Sequence, residues 1–288
     1  MKLQAFKKVA VFLCAVSFLL PGCGQQEVAA KPKVDEVVNY EEIYTITETD
    51  SDVSKETAKE LLPEEGILIN EQSLWEIKEG GAYLLKGSYD GQVQINAEDE
   101  KVHLILENVE INSPNGPAIY VKSAAKVILT VPEDSSSILK DSPYYDRYPD
   151  AKACVHSNSD LTINGSGSLQ VYGYYKDAVR TKDVLKVLDT GLMVQAKGDG
   201  LRGNDGVAFQ GRSLDIQCEG TGIYTEKEDK ENKGFVDMAA GNIQIIAGEY
   251  GINASENIYL HACEADIYGI LENLTCKGQQ LVEEGCLK

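Results

Sequence analysis

Three pairs of ionisable residues recur at one offset: Asp177 and Asp199, Arg180 and Arg202, and Asp183 and Asp205 are each 22 positions apart (199 − 177, 202 − 180, 205 − 183). If the backbone coils with that period, the members of each pair stack as neighbours in a parallel sheet, about 4.8 Å apart. Two stacked carboxylates repel each other. A calcium ion removes that repulsion, because it takes roughly 6–8 oxygen ligands and can bridge adjacent coils. Asp177, Asp183, Asp199 and Asp205 are therefore the candidate metal ligands, with Asp160 and Asn204 beside them, provided that all four share one edge. The alternative is that each Asp satisfies backbone N–H groups in its own turn. Arg180 and Arg202 stack next to the Asp177/Asp199 pair, where a planar guanidinium either pairs with those carboxylates or grips a carboxylate on a ligand. Aromatic residues make up only 7% of the chain, yet six tyrosines crowd the same region. Tyr144, Tyr145 and Tyr148 precede one coil, and Tyr172, Tyr174 and Tyr175 the next. Such rings stack on the apolar faces of sugars while their hydroxyls hydrogen-bond. A loop of tyrosines packed on one another is the structural alternative.

The elements that would position these residues come from a repeat. An aliphatic anchor follows a small or turn residue at Ile119, Val155, Val179, Leu201, Ile223, Ile252 and Ile270, with spacings of 36, 24, 22, 22, 29 and 18. The long intervals contain insertions, around DSPYYDRYPDA and TEKEDKENKG. Within each coil an aliphatic residue is followed five and seven positions later by two more, as in Val187/Leu192/Val194, Phe209/Leu214/Ile216 and Met238/Ile243/Ile245. Spacing by two puts side chains on one face of a strand, and the gap of five implies a turn, with Gly165, Gly191, Gly211 and Gly241 marking several of them. Several short strands per coil, stacked coil on coil, make a parallel β-helix. A leucine-rich repeat lacks its Leu/Asn signature here, and a β-propeller needs a longer period.

GPAIYVKSAAKVILTV, SNSDLTINGSGSLQVYGYYKDAVRTKDVLKV and GDGLRGNDGVAFQGRSLDI resemble the extracellular carbohydrate-binding family whose fold is a right-handed parallel β-helix similar to pectate lyases. The resemblance runs from about Ile67 to Ile270. It implies binding of plant or microbial polysaccharide, polygalacturonate among them, with calcium in the site. Within it, Arg180 and Arg202 have three readings: ion pairs with the aspartates, recognition of uronate carboxylates, or, for one of them, the general base of a calcium-dependent pectate lyase. A further alternative is a calcium-stiffened adhesion or structural module that recognises a protein. Gly220-Thr221-Gly222 and Glu249-Tyr250-Gly251 depart from the family's Gly-Asp-Gly, so later coils are expected to lack metal ligands.

The whole chain of 288 residues carries 27 Lys+Arg against 46 Asp+Glu, a net charge of −19. With no basic cluster, it is expected to bind no nucleic acid. Residues 1–22 read as a lipoprotein signal peptide, with a positive start and an apolar stretch too short to span a bilayer. Leu20-Pro21-Gly22-Cys23 resembles the bacterial lipobox, which makes Cys23 the lipidated residue of an exported protein anchored at the cell surface. Residues 23–42 are polar and aperiodic, a flexible tether, and 43–288 form the β-helix domain with its N-terminal cap. SDVSKETAKELL predicts a short amphipathic helix from Ser51 to Leu62, closed by Pro63. Cys218 is expected to be a buried small hydrophobe. A Cys276–Cys286 bridge would staple the C-terminal end, although nothing in the spacing fixes that pairing.

Overall fold

Between Ile119 and Gly269 each coil contributes a segment to each of three ladders, and every segment pairs in parallel with its counterpart one coil away. The computed structural model describes residues 44–55, 57–69, 72–228 and 232–288; the expected signal peptide and tether, with Cys23, lie outside them. The first ladder runs through the start of Ile119–Thr130, then Ala153–Ser157, Asp177–Thr181, Leu201–Gly203, Ile223–Thr225, Tyr250–Ala254 and Glu272–Cys276. The second continues from Lys126 through Asp160–Asn164, Val184–Leu188, Gly206–Gln210, Phe235–Met238, Ile258–Leu260 and Gln280–Val282. The third stacks Ser136–Lys140, Ser168–Gly173, Gly191–Ala196, Ser213–Cys218, Asn242–Ala247 and Glu264–Gly269. This is the parallel β-helix that the repeat predicts.

The anchors Ile119, Val155, Val179, Leu201, Ile223 and Ile252 are in register and fully buried. Ile270 is not the seventh: it is 65% exposed in a turn, and Ile252 pairs with Leu274 instead. The true spacing is again 22 (274 − 252). The triplets hold as well, since Val187, Phe209 and Met238 stack in the second ladder and Val194, Ile216 and Ile245 in the third, all facing one continuous core. β-branched and aliphatic side chains suit these doubly stacked inward positions. The turn glycine Gly165 is required by its backbone, with φ +93° and a virtual Cβ only 2.2 Å from the Val131 carbonyl oxygen.

The N-terminal expectation needs correction. The helix is the single turn Glu48–Ser51, closed by a reciprocal cap between Thr47 and Asp50. Lys59–Leu61 forms a strand against Tyr83–Leu85. Leu61 enters the core from this strand, whereas Val53 stays 52% exposed, so a helix over 51–62 would have had no apolar face to bury. The segment Tyr44–Asp52 straps the outside of the second ladder, with Tyr44 stacked on Phe235 at 5.5 Å and Asp50 buried between Lys126 and Lys186.

Cys218 is buried as expected, and this structure holds the five cysteines from Cys154 to Cys286 in their reduced, unlinked form. The Cys276–Cys286 bridge does not form. Cys276 Sγ donates to the Gln279 carbonyl at 3.5 Å, whereas Cys286 is buried in the core beside Cys263.

Candidate functional site

On the outer face of the first ladder the register aligns Gln94, Tyr120, His156, Arg180, Arg202, Tyr224 and Asn253 in one column. Arg180 Nη1 donates to Asp177 Oδ2 at 3.2 Å, and Arg202 Nη1 to Asp199 Oδ2 at 2.7 Å. Both guanidiniums also meet Glu226 Oε1, Arg180 through Nη2 at 3.4 Å and Arg202 through Nη2. Arg202 lies over the Tyr224 ring, 4.2 Å from its centroid. Its Nε is buried and donates to no described residue. Past Tyr224 the face opens into a cleft of about 260 Å³ lined by Asn253, Ser255, Thr275 and Lys277 among others.

The second oxygens of the two aspartates serve the turns. Asp177 Oδ1 accepts from Asp199 N at 3.0 Å, and Asp199 Oδ1 accepts from Thr221 N at 2.9 Å. Each carboxylate thus clamps the next coil and orients the arginine three residues on. Burial, and then Asp199, raise the pKa of the Asp177 carboxyl. Gly198 is what lets the coils approach here, since a Cβ on it would lie 2.5 Å from Asp177 Oδ1. Asp183 and Asp205 occupy the turn at the opposite end of these strands, so the four aspartates do not share one edge. The strands Asp177–Thr181 and Leu201–Gly203 hold the two pairs apart.

The residues at the Asp177/Asp199 end do not fit a calcium ion, because each carboxylate already accepts a backbone N–H on one oxygen and a guanidinium on the other. At the other end Asp205 pairs with Lys233, while the pKa of Asp183 is raised by burial, Asp160 and Asp205. Among the described residues no three His, Cys, Asp or Glu side chains converge closely enough to hold a metal.

His156 reports the local field. Its pKa is pushed down to about 4 by burial first, then by Arg180, Lys182 and Lys152. Its Nδ1 accepts from Lys152 N at 3.2 Å, so the ring is a neutral acceptor. Exposed Lys122, Lys152 and Lys182 flank the column, making this face locally positive on a chain of net charge −19.

Five of the six tyrosines make ring contacts beside it, in three separate pairs. Tyr145 is buried and stacks on Tyr175, centroids 4.2 Å apart; Tyr148 sets its edge to Tyr120 at 5.8 Å, and Tyr172 stacks on Tyr174 at 6.0 Å. Tyr144 and Tyr174 are 68% and 42% exposed, so two rings face solvent over a packed aromatic base. Gly116 makes room for Tyr148: its φ is +105° and its virtual Cβ lies 2.3 Å from the Tyr148 ring.

Two residues that sequence reasoning missed complete the site. Glu226 joins both arginines; it stands first after the strand Ile223–Thr225, within what reads as an insertion. Asp141 pins the tyrosines. Its Oδ2 lies 2.6 Å from the Tyr145 hydroxyl and its Oδ1 accepts from Tyr174 N at 2.5 Å. Burial raises its pKa to about 7, against the hydrogen bonds from Tyr145 and the Tyr174 and Tyr175 backbone that favour the carboxylate. Its place at the head of the DSPYYDRYPDA insertion carried no signal beyond the turn preference of Asp.

A long solenoid with a positive, aromatic-edged face belongs to the class of parallel β-helices that present an extended surface along the stack. Within that class the chain belongs to the family of carbohydrate-binding domain-containing proteins, whose pattern matches residues 71–278. A carbohydrate-binding domain-containing protein of Acetivibrio thermocellus is 31% identical over 232 residues, covering 77% of this chain and 80% of that one. The solved structure of a polysaccharide lyase-like protein from C. thermocellum, a gadolinium derivative, is similar with a TM-score of 0.73 and 28% identity, over 77% of this chain and 92% of that chain.

Proposed function

We propose that this protein binds an acidic polysaccharide of the polygalacturonate kind, laid along the first ladder from Tyr144 and Tyr174 towards Arg180 and Arg202. The observation that carries the reading is the column of arginines between tyrosines, flanked by exposed lysines on an otherwise acidic chain. Sugar rings stack on the exposed tyrosines, and uronate carboxylates meet the lysines and guanidinium edges. The proposal places the protein outside the cytoplasmic membrane, held by a lipid on Cys23.

Titration calorimetry on polygalacturonate tests it. Tyr144→Ala and Tyr174→Ala are each expected to weaken binding about tenfold, the loss of one stacking contact of about 1.4 kcal/mol. Equal affinity for the variants and the parent, or no affinity for any uronate polymer, rejects the reading. Elimination chemistry receives less support. Each ion pair that Arg180 and Arg202 make uses the guanidinium as a charged donor to a carboxylate, the opposite of a free base. No rise in ultraviolet absorbance from unsaturated uronate is therefore expected on incubation with polymer; a steady rise would assign a lyase.

Calcium has a place only as a loosely held counter-ion at the opposite turn, where Asp160 and Asp205 are like-charged neighbours of Asp183 without converging on one ion. There a cation would offset like charges and stiffen the coils. Added Ca²⁺ is expected to raise the melting temperature of chelator-treated protein by a few degrees, and Asp183→Asn to abolish the rise. Affinity for polymer is expected to survive EDTA, because the Asp177 and Asp199 oxygens are already engaged. Affinity lost on chelation would return calcium to the binding face.

A further inference from the structure

The last coil of the β-helix would expose its core end to water unless something covers it. The segment after Val282 does so. Ala265 N donates to the Cys286 carbonyl at 2.7 Å and Lys288 N to the Ala265 carbonyl at 3.0 Å, so Leu287 forms a parallel bridge with Ala265. Glu283 anchors the approach, its Oε2 accepting from Ala262 N at 2.7 Å. This short segment carries one of the two buried thiols at this end of the stack. Cys263 and Cys286 are 7% and 3% exposed, and the bonds from Ala262 N to Glu283 and from Ala265 N to Cys286 hold their two segments side by side.

We propose that Cys263 and Cys286 form a disulfide that closes the C-terminal end of the solenoid, using an oxidant of the disulfide class. Both Sγ–H bonds break and one Sγ–Sγ bond forms. The two electrons and two protons reduce the oxidant's disulfide to two thiols, as with oxidised glutathione. The geometry favours this pair over Cys276–Cys286, because Cys276 lies in the first ladder, bonded to the Gln279 carbonyl, while Cys263 stands between Ala262 and Ala265, both bonded to the segment that holds Cys286. Burial, with Cys286 and Glu283 close by, raises the pKa of the Cys263 thiol to about 12. Attack requires the thiolate, so oxidation belongs to folding, before the end closes, and the finished bond is shielded from reductant. A cross-link between Cys263 and Cys286 closes a loop in the unfolded chain and so lowers the entropy of the unfolded ensemble. The proposal is independent of what the binding face recognises.

The test is a thiol map of the full chain, refolded with a mixture of reduced and oxidised glutathione and alkylated before digestion. Cleavage after glutamate is needed, since trypsin leaves Cys263 and Cys276 in one peptide, residues 234–277. The expected result is one linked pair, Cys263 to Cys286, with Cys276 alkylated. Cys276→Ser is expected to keep the link. Cys263→Ser and Cys286→Ser should each leave the other thiol alkylatable and lower the melting temperature by about 5 °C, as unfolding and reducing the parent would. Free thiols at both positions after oxidative refolding overturn the proposal, as does a Cys276–Cys286 link. The map of the parent chain decides the matter even where a serine variant folds poorly.

Discussion

Replacing Asp141 with Asn is expected to stabilise the protein at pH 8 and to change little at pH 4. The reason lies in one proton. The Tyr145 hydroxyl is 2.6 Å from Asp141 Oδ2 and 2.9 Å from the Ala153 carbonyl oxygen, and it can donate to only one of them. When Asp141 is protonated, its own O–H donates to Tyr145 Oη, Tyr145 donates to Ala153, and Oδ1 still accepts from Tyr174 N. Every group is then satisfied without a buried charge. Ionised Asp141 instead sits 4% exposed with no salt bridge to any described residue, facing Tyr145, Tyr174 and Tyr175, with the buried Cys154 thiol close by. A carboxyl raised from 3.8 to about 7 takes up a proton on folding. Its contribution is therefore fully present below pH 3.8 and is lost as the pH rises to 7. Three pH units correspond to about 4 kcal/mol, an order-of-magnitude figure. Asparagine reproduces the protonated pattern at every pH, with Nδ2 donating to Tyr145 and Oδ1 accepting from Tyr174. Denaturant titrations at pH 4, 6 and 8 check this. A variant that is weaker than the parent by the same amount at all three would show that the carboxylate is the working form. Polymer affinity of the parent should weaken over the same range, since Tyr145 underlies the tyrosine edge.

Asp50→Ala is expected to destabilise the protein by about 3–5 kcal/mol, the usual result of removing one partner from a buried ionic cluster. Asp50 is fully buried and collects Lys126 Nζ at 2.5 Å, Lys186 Nζ at 3.1 Å, the Thr162 hydroxyl at 2.5 Å and Thr47 N at 2.8 Å. Alanine leaves two lysines, each with little exposure, sharing a site with no carboxylate. It also frees the strap that carries Tyr44 onto Phe235. The pH dependence has the opposite sign to that of Asp141. Burial pushes the Asp50 carboxyl upward, but Lys126, Thr162, the Thr47 N–H and Lys186 together pull it well below 3.8. Its contribution is thus present above that pH and is lost only in stronger acid. Guanidinium unfolding of parent and variant should differ by a constant amount from pH 5 to 8, and the difference should begin to shrink only as the pH falls below 3.8. A deficit under 1 kcal/mol at pH 7 would mean that water replaces the carboxylate and that the strap adds little.

The two residues differ in how far they were legible. Neither stands out from the repeat: Asp141 heads an insertion, and Asp50 precedes the segment expected to be helical, whereas the helical turn formed there is Glu48–Ser51. Tyr144 and Tyr174, by contrast, were identifiable from their density alone, although not which of the six rings would be exposed. The anchors up to Ile252 and the Arg180/Arg202 stack followed from spacing. Ile270 failed because a small residue before an aliphatic one also describes a tight turn, and the pattern cannot tell the two apart once the coil count has drifted.

The amino-acid sequence determined the stack. In a parallel solenoid, equivalent positions one period apart become spatial neighbours, so a spacing of 22 between Asp177 and Asp199 is already a contact, and the Asp-to-Arg offset of three repeats with it. Only the tertiary structure decided what joins non-equivalent positions. It placed Asp183 and Asp205 at the other turn, brought Glu226 to both arginines, set Asp141 under Tyr145, and closed Asp50 onto Lys126 and Lys186, which lie 76 and 136 residues further along (126 − 50, 186 − 50). Such contacts depend on how insertions and the N-terminal strap fold back across the coils, and a period carries no information about segments that interrupt it.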